Sequence, residues 1–292
     1  MDSANIIQLS AVCGAEEFDL YIKPRKSINK KASDVNQLTF RGTVLAYKGK
    51  PVSYVDLEEG LTQFLSFLEK FRKPVLVAHN GFAFDFPILC HEYTRVNSLE
   101  KLLQSVSGIA DTLPVFVQTL PNLESHAQPF LVKTILKQEY DAHNSLADCT
   151  SLRQLVAKIC SEEDDILVFS GTLSDVVSQI KHKQKIKLAR SSLDPMVAKK
   201  SLSPYMANKM SKTGLFLEHI SAAFSRGGTN GLAAVLQERD QEGKARVTDD
   251  PDILNKIVEF LETRSASDTT SCVTASSSTS ALKANEIVNT DL

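Results

Sequence analysis

Two aspartates and a histidine stand where they could do chemistry. Asp85 belongs to Val77-Ala78-His79-Asn80-Gly81-Phe82-Ala83-Phe84-Asp85-Phe86-Pro87-Ile88-Leu89, which leaves an apolar run, passes a turn and enters a helix. It precedes Ile88 and Leu89 by three and four residues, which puts its carboxylate on the helix face that turns inward. Burying even a neutral polar group without a partner costs ~1–3 kcal/mol, and a charge costs more. Serving the helix N-terminus, where the dipole and free N–H groups welcome an acid, is the competing role. The second stretch is His143-Asn144-Ser145-Leu146-Ala147-Asp148. Asp148 lies four residues before Leu152 on the apolar face of the next helix, and His143 falls on the loop before it. An inward acid beside a loop histidine suits a metal ligand next to a mobile general base.

These residues need a scaffold, and the first 160 positions read as alternating strands and helices. Ile6 to Val12 and Phe18 to Ile22 predict two antiparallel strands, with Gly14 in the turn. Asp56 and Glu59 have capping-box spacing, and Leu57, Leu61, Phe64, Leu65, Leu68 and Phe71 then repeat as one helical face. Pro74 to Ala78 is apolar without alternation, as expected of a strand buried on both faces. A helix from about Phe84, a short strand or turn within Ile109 to Val117, and a helix over Leu146 to Ile159 complete an α/β pattern.

Beyond Cys160 the charge pattern changes. Residues 161–176 hold five acids and no base, and residues 181–212 hold nine Lys or Arg against one Asp. This predicts a charged linker over 161–200, then a small helical module over 201–263 punctuated by Gly214 and Gly227-Gly228. Residues 264–292, with 12 Ser or Thr among 29 and no aromatic, read as a disordered tail. The basic stretch Lys181-His182-Lys183-Gln184-Lys185-Ile186-Lys187 reads first as a solvated face, because no aromatic is interleaved with it. The net charge of -2 gives no global pull on nucleic acid, so such binding needs local patches or a metal site. No apolar run is long enough to span a bilayer. The start lacks a secretory pattern and the five cysteines form no CxxC pair, which predicts reduced thiols in nucleus or cytoplasm.

His79-Asn80-Gly81-x-x-Phe84-Asp85-Phe86-Pro87 resembles the second motif of DEDDh 3′–5′ exonucleases, in the form found in three-prime repair exonucleases. His143 to Asp148 is similar to their third motif. Ile6-Ile7-Gln8-Leu9, Phe18-x-x-Tyr21-Ile22-x-Pro24, Ala32-Ser33-x-Val35-x-x-Leu38-Thr39 and Ala110-Asp111-Thr112-Leu113-Pro114 resemble further family segments in the expected order. The resemblance covers residues 5–160 and implies an α/β, RNase H-like exonuclease fold, a central mixed sheet flanked by helices. It implies two divalent ions, Mg²⁺ or Mn²⁺, and stepwise hydrolysis of single-stranded or fraying DNA or RNA from 3′ ends. Asp85 and Asp148 would be metal ligands, His143 the general base, and Asn80 and Phe84 contacts to the terminal nucleotide. For Phe84, four residues before Ile88, a core position is an equally good reading. The exonucleases it resembles include dimers, so a homodimer is open to this chain. The region after 200 resembles helical segments that follow exonuclease-like domains in some vertebrate proteins.

One departure stands out. The family's first strand, bearing Asp-x-Glu, lies a dozen or so residues ahead of the Ile-Ile-Gln-Leu segment, and here only five residues precede Ile6. The resemblance places that strand at the centre of the sheet, between the Ile6 strand and the Val75 strand. The expectation is therefore a fold with its first strand missing. Two readings follow: an incomplete version of a longer exonuclease, or an inactive exonuclease-like module that binds nucleic acid or protein.

Overall fold

Gly14, at φ +58°, turns strand β1 (Gln8–Cys13) into strand β2 (Glu16–Ile22), and the two pair antiparallel as their alternating pattern predicts. The computed structural model describes residues 5–162 and 164–275. After the hairpin come α1 (Lys30–Asn36), β3 (Leu38–Arg41), β4 (Val44–Tyr47), β5 (Lys50–Pro51), β6 (Tyr54–Val55), α2 (Leu57–Leu68) and β7 (Val75–Ala78). Then follow α3 (Asp85–Arg95), α4 (Leu99–Ser105), β8 (Gly108–Asp111), α5 (Thr112–Thr119) and α6 (Gln128–Leu131), which a π-helical turn at Val132–Leu136 continues. The chain goes on through α7 (Ser145–Ile159), α8 (Asp164–Leu167), β9 (Ser170–Gly171), α9 (Leu173–Ser192), α10 (Asp194–Ala198), α11 (Pro204–Lys212), α12 (Leu217–Leu236) and α13 (Pro251–Ala275). It packs as two units, divided between Ile180 and Lys181.

In the first unit, the apolar stripe of α2 (Leu61, Phe64, Leu65, Leu68) is buried against Phe86, Leu89 and Tyr93 of α3, with Leu102 and Ile109 completing the core. Phe18 of β2 seals one side, its ring centroid 5.4 Å from those of Phe64 and Phe67. Glu92 is 1% exposed there, and Arg25 (3.2 Å) and Arg95 (2.5 Å) share its charge. A second cluster joins α5, α6 and the π turn to α7 through Phe116, Leu131, Val132, Leu152 and Leu155. The second unit has its own core, with Leu193, Met196, Met210, Ile220, Leu232, Leu236 and Ile257 buried together. Gly227 and Gly228 leave helical geometry and kink α12, the break expected of that pair.

The strands form three sheets rather than one central mixed sheet: β1–β2–β6, β3–β4–β5 and β7–β8–β9. In the first, β1 runs antiparallel to β2 and β2 parallel to β6; in the third, β7 runs parallel to β8 and β8 antiparallel to β9. Among the described residues, strands β1 and β7 each keep one edge without a strand partner, although Leu9, Ala11, Leu76 and Ala78 pack on the same core. The expectation that β7 is buried on both faces fails: Val75 and Val77 are 37% and 40% exposed.

Three further expectations are corrected. Asp56 stands at the N-cap of α2 without a side-chain cap bond; its carboxylate is 79% exposed and lies 3.8 Å from Lys23, so the capping box does not form. The short strand expected within Ile109 to Val117 is the end of β8, and helix α5 follows it. The stretch 161–200 is no linker but holds α8, β9, α9 and α10, because Leu173, Val176, Val177 and Ile180 give α9 an inward face beneath its charges. Helix α13 runs past Arg264 to Ala275, and the rest of the Ser/Thr-rich tail lies outside the described residues.

Bare edges invite pairing between copies. Residues 1–292 are expected to self-associate and to melt below the range of mesophilic domains, about 45–65 °C. Calorimetry with light scattering checks this, and a monomeric sample with a cooperative transition inside that range overturns it.

Candidate active site

The C-terminal ends of β7 and β8 lie side by side, with Ala78 opposite Asp111, and the site grows from the turn that follows β7. A Cβ on Gly81 would come within 2.6 Å of the Phe86 ring and 2.7 Å of the Ala78 Cβ, so only glycine lets the chain pass into α3 here. Asn80 is left-handed at φ +62°. Asp111, 3% exposed, pins the turn: it accepts hydrogen bonds from the backbone N–H groups of Asn80 (2.8 Å), Phe82 (3.1 Å) and Leu113 (2.9 Å). The same carboxylate thus caps α5 and fixes the entry to α3. His79 is structural. Its Nδ1 lies 2.9 Å from Thr112 Oγ1 and its Nε2 2.8 Å from the His126 carbonyl, and burial lowers its pKa.

Asp85 opens α3 and is exposed rather than turned into the core, so water reaches its side chain. Protein nevertheless closes around the carboxyl group. This desolvation, with smaller contributions from the charges of Asp111 and Asp148, lifts its pKa to about 6. Phe84, just before it, is 59% exposed, which excludes the core reading, and the side-chain amide of half-buried Asn80 has no protein partner among the described residues.

Asp148 sits in the first turn of α7, which Asn144 caps by accepting from the Ala147 N–H at 3.2 Å. Burial raises the Asp148 pKa, and a long bond of 3.4 Å from the His143 N–H to its Oδ1 opposes that. The Tyr140 hydroxyl is buried without a hydrogen bond of normal geometry, near enough to Asp148 for the carboxylate to help hold its proton on. Cys149 feels the charges of both acids. Burial, then the charges of Asp148, Asp85 and Asp19, push its thiol up to about 12, and its Sγ lies 3.4 Å from the Ser10 carbonyl of β1. Asp85 at the start of α3 and Asp148 in the first turn of α7 are close enough for the charge of one to act on the other.

His143 is exposed, left-handed at φ +69°, on a loop held from two sides. Asp141 accepts from the Tyr47 hydroxyl (2.5 Å) and Lys48 Nζ (2.6 Å), and the Ser145 N–H donates to Gln8 Oε1 (3.1 Å). These supports, and the role of Asp111, are invisible to spacing rules because the partners lie far apart in sequence. Asp111 stood in a quoted family segment without a role.

Asp85 and Asp148 offer oxygen donors of the kind that suit Mg²⁺ or Mn²⁺. Asp111 is not a third, since backbone N–H groups occupy both its oxygens. Among the described residues, no group of three or more His, Cys, Asp or Glu is placed to hold a metal ion. Asp85 and Asp148 stop short of such a group.

The raised pKa predicts a pH-dependent stability. Folded Asp85 keeps its proton to about pH 6, against an ordinary value of 3.8. Between these values the native state binds the extra proton, so Asp85 lowers stability as pH rises through this window. Asp85→Asn is expected to melt a few degrees higher than the parent at pH 7, the difference closing by about pH 4. Thermal melts across pH check this; a variant that melts lower at pH 7 overturns it.

Residues 6–156 match the family model described as Exonuclease, and residues 189–264 match that of the PML C-terminal domain. The chain is 26% identical over 155 residues to protein PML of Mus musculus and 26% identical over 156 residues to protein PML of Homo sapiens. Each alignment covers 53% of this chain and 15% of the relative, so the chain spans a small part of the length of these proteins. It is also 27% identical over 148 residues to exonuclease DPD1, chloroplastic/mitochondrial, of Arabidopsis thaliana, covering 44% of each chain.

Proposed function

This chain belongs to the exonuclease family, and we propose that the site at Asp85 and Asp148 serves metal-dependent hydrolysis of nucleic acid from 3′ ends. The observation that supports this reading is the convergence of Asp85 and Asp148, each with a raised pKa, beside the loop that carries His143. Exonuclease family domains generally use divalent metal ions, and Asp85 and Asp148 would hold them. Bound there, such ions would lower the pKa of the attacking water and stabilise the leaving oxygen. His143 takes the proton of that water, its exposure letting it hand the proton on to solvent. The Phe84 ring stacks on the terminal base and the Asn80 amide bonds to the same nucleotide. An aromatic face accepts any base, so single-stranded or fraying DNA or RNA ends suit this arrangement.

The test is a pair of single strands, one labelled at each end, incubated with the protein in Mg²⁺ or in EDTA. Mononucleotides released from the 3′ label in Mg²⁺ alone are the expected products. Release from the 5′ label, or cleavage in EDTA, overturns the reading.

A further inference from the structure

The basic stretch that follows Ile180 takes a different meaning once it is folded. Residues 181–192 are the second part of α9, and Lys181, Lys185 and Leu188 recur there at i, i+4 and i+7 on one face. All three are exposed, Leu188 at 64%. Helix α11 lies alongside: Arg190 Nε donates to Asn208 Oδ1 at 2.9 Å, and Lys185 Cε lies 4.0 Å from where a Cβ on Gly214, just past α11, would stand. On α11, Tyr205, Asn208 and Lys212 recur at i, i+3 and i+7, again one face, and Tyr205 is 74% exposed. The aromatic that the linear run lacks therefore stands on α11, two helical turns from Lys212.

Within residues 181–212 the one acid, Asp194, is held by Arg190 at 2.5 Å. Glu238 of the same unit is held by Arg246, which also reaches the Thr213 carbonyl. Lys181, Lys185 and Lys212 have no acidic partner among the described residues.

We propose that the α9–α11 face of the second unit is a binding track for single-stranded nucleic acid. Its lysines meet phosphates, and Tyr205, with Leu188, meets unpaired bases. Lysines alone would suit any polyanion; an exposed ring beside them favours a strand whose bases are free to stack. The choice of nucleic acid rests on the exonuclease reading, and binding measured in EDTA keeps the two separable. Turnover is silent there, so loss of binding leaves the nuclease reading untouched, and loss of turnover leaves the track untouched.

The experiment is fluorescence anisotropy of residues 1–292 with a labelled single strand and with a duplex of the same sequence, across a salt series in EDTA. K181E/K185E/K212E is expected to bind the single strand at least roughly tenfold more weakly. At about 0.7 per phosphate contact, its log–log salt slope should be shallower by about 2. Tyr205→Ala is expected to weaken single-strand binding by roughly 5- to 100-fold at unchanged salt slope, leaving the duplex unaffected. All four positions are surface residues, so circular dichroism should match the parent. The proposal falls if the triple variant keeps the parent affinity and slope. It also falls if the charge-matched K26E/K244E/K256E loses as much. Equal binding of duplex and single strand, both indifferent to Tyr205→Ala, overturns the single-strand assignment.

Discussion

A strand bearing Asp-x-Glu, grafted ahead of Ile6 so that it can lie between the bare edges of β1 and β7, is expected to raise hydrolysis by on the order of 10³-fold or more over residues 1–292 alone. Two effects add. The graft would supply two further carboxylates to a site that holds two, and a two-ion arrangement is worth several kcal/mol of transition-state stabilisation, each 1.36 kcal/mol being tenfold in rate. It would also pair the N–H and C=O groups along both edges and cover Val75 and Val77, which are 37% and 40% exposed without it. Release of mononucleotides in Mg²⁺ by the two chains, with melting temperature as a second readout, measures both. A grafted strand that raises the melting temperature without turnover would make the domain a binding module. Robust turnover by residues 1–292, lost in Asp148→Asn, would show that two carboxylates suffice.

The sequence made legible those elements whose period is enforced by one apolar neighbour. The stripes of α2 and α7 and the alternation of β1 and β2 each need only a core on one side, and the structure provides it. What stayed hidden depends on partners distant in the chain. Asp111 looks like a surface acid until β7 and β8 align and bring Asn80 and Phe82 to its oxygens. Asp141 gains its part in holding the His143 loop only because the β3–β4 hairpin presents Tyr47 and Lys48 to it. The α9 region misled for the opposite reason: clustered charges marked it as a linker, yet Val176, Val177 and Ile180 suffice to seat its first turns, and the charges occupy the solvent side. Pro74 to Ala78 reads as a doubly covered strand, yet Val75 and Val77, on one face of β7, stay exposed.

In the grafted chain, Asp148 and His143 should fail in different ways. Asp148→Asn removes a charge that would hold an ion, so Mn²⁺ affinity should drop by at least the 10–100-fold typical of changes around metal ligands, with turnover lost alongside. His143 donates its backbone N–H to Asp148 Oδ1 at 3.4 Å, and that contact survives any change of side chain. His143→Ala should therefore leave Mn²⁺ affinity nearly unchanged while the rate falls by about 10²–10⁴, the usual worth of a general base. Because His143 is exposed on its loop, added imidazole can reach the space its ring vacates, and partial rescue of His143→Ala, but not of Asp148→Asn, is expected. Calorimetry of Mn²⁺ binding beside rates with and without imidazole separates the two roles. If His143→Ala abolished metal binding, His143 would be a ligand or a support of the ligand loop. If its rate neither fell nor responded to imidazole, another group would have to take the proton.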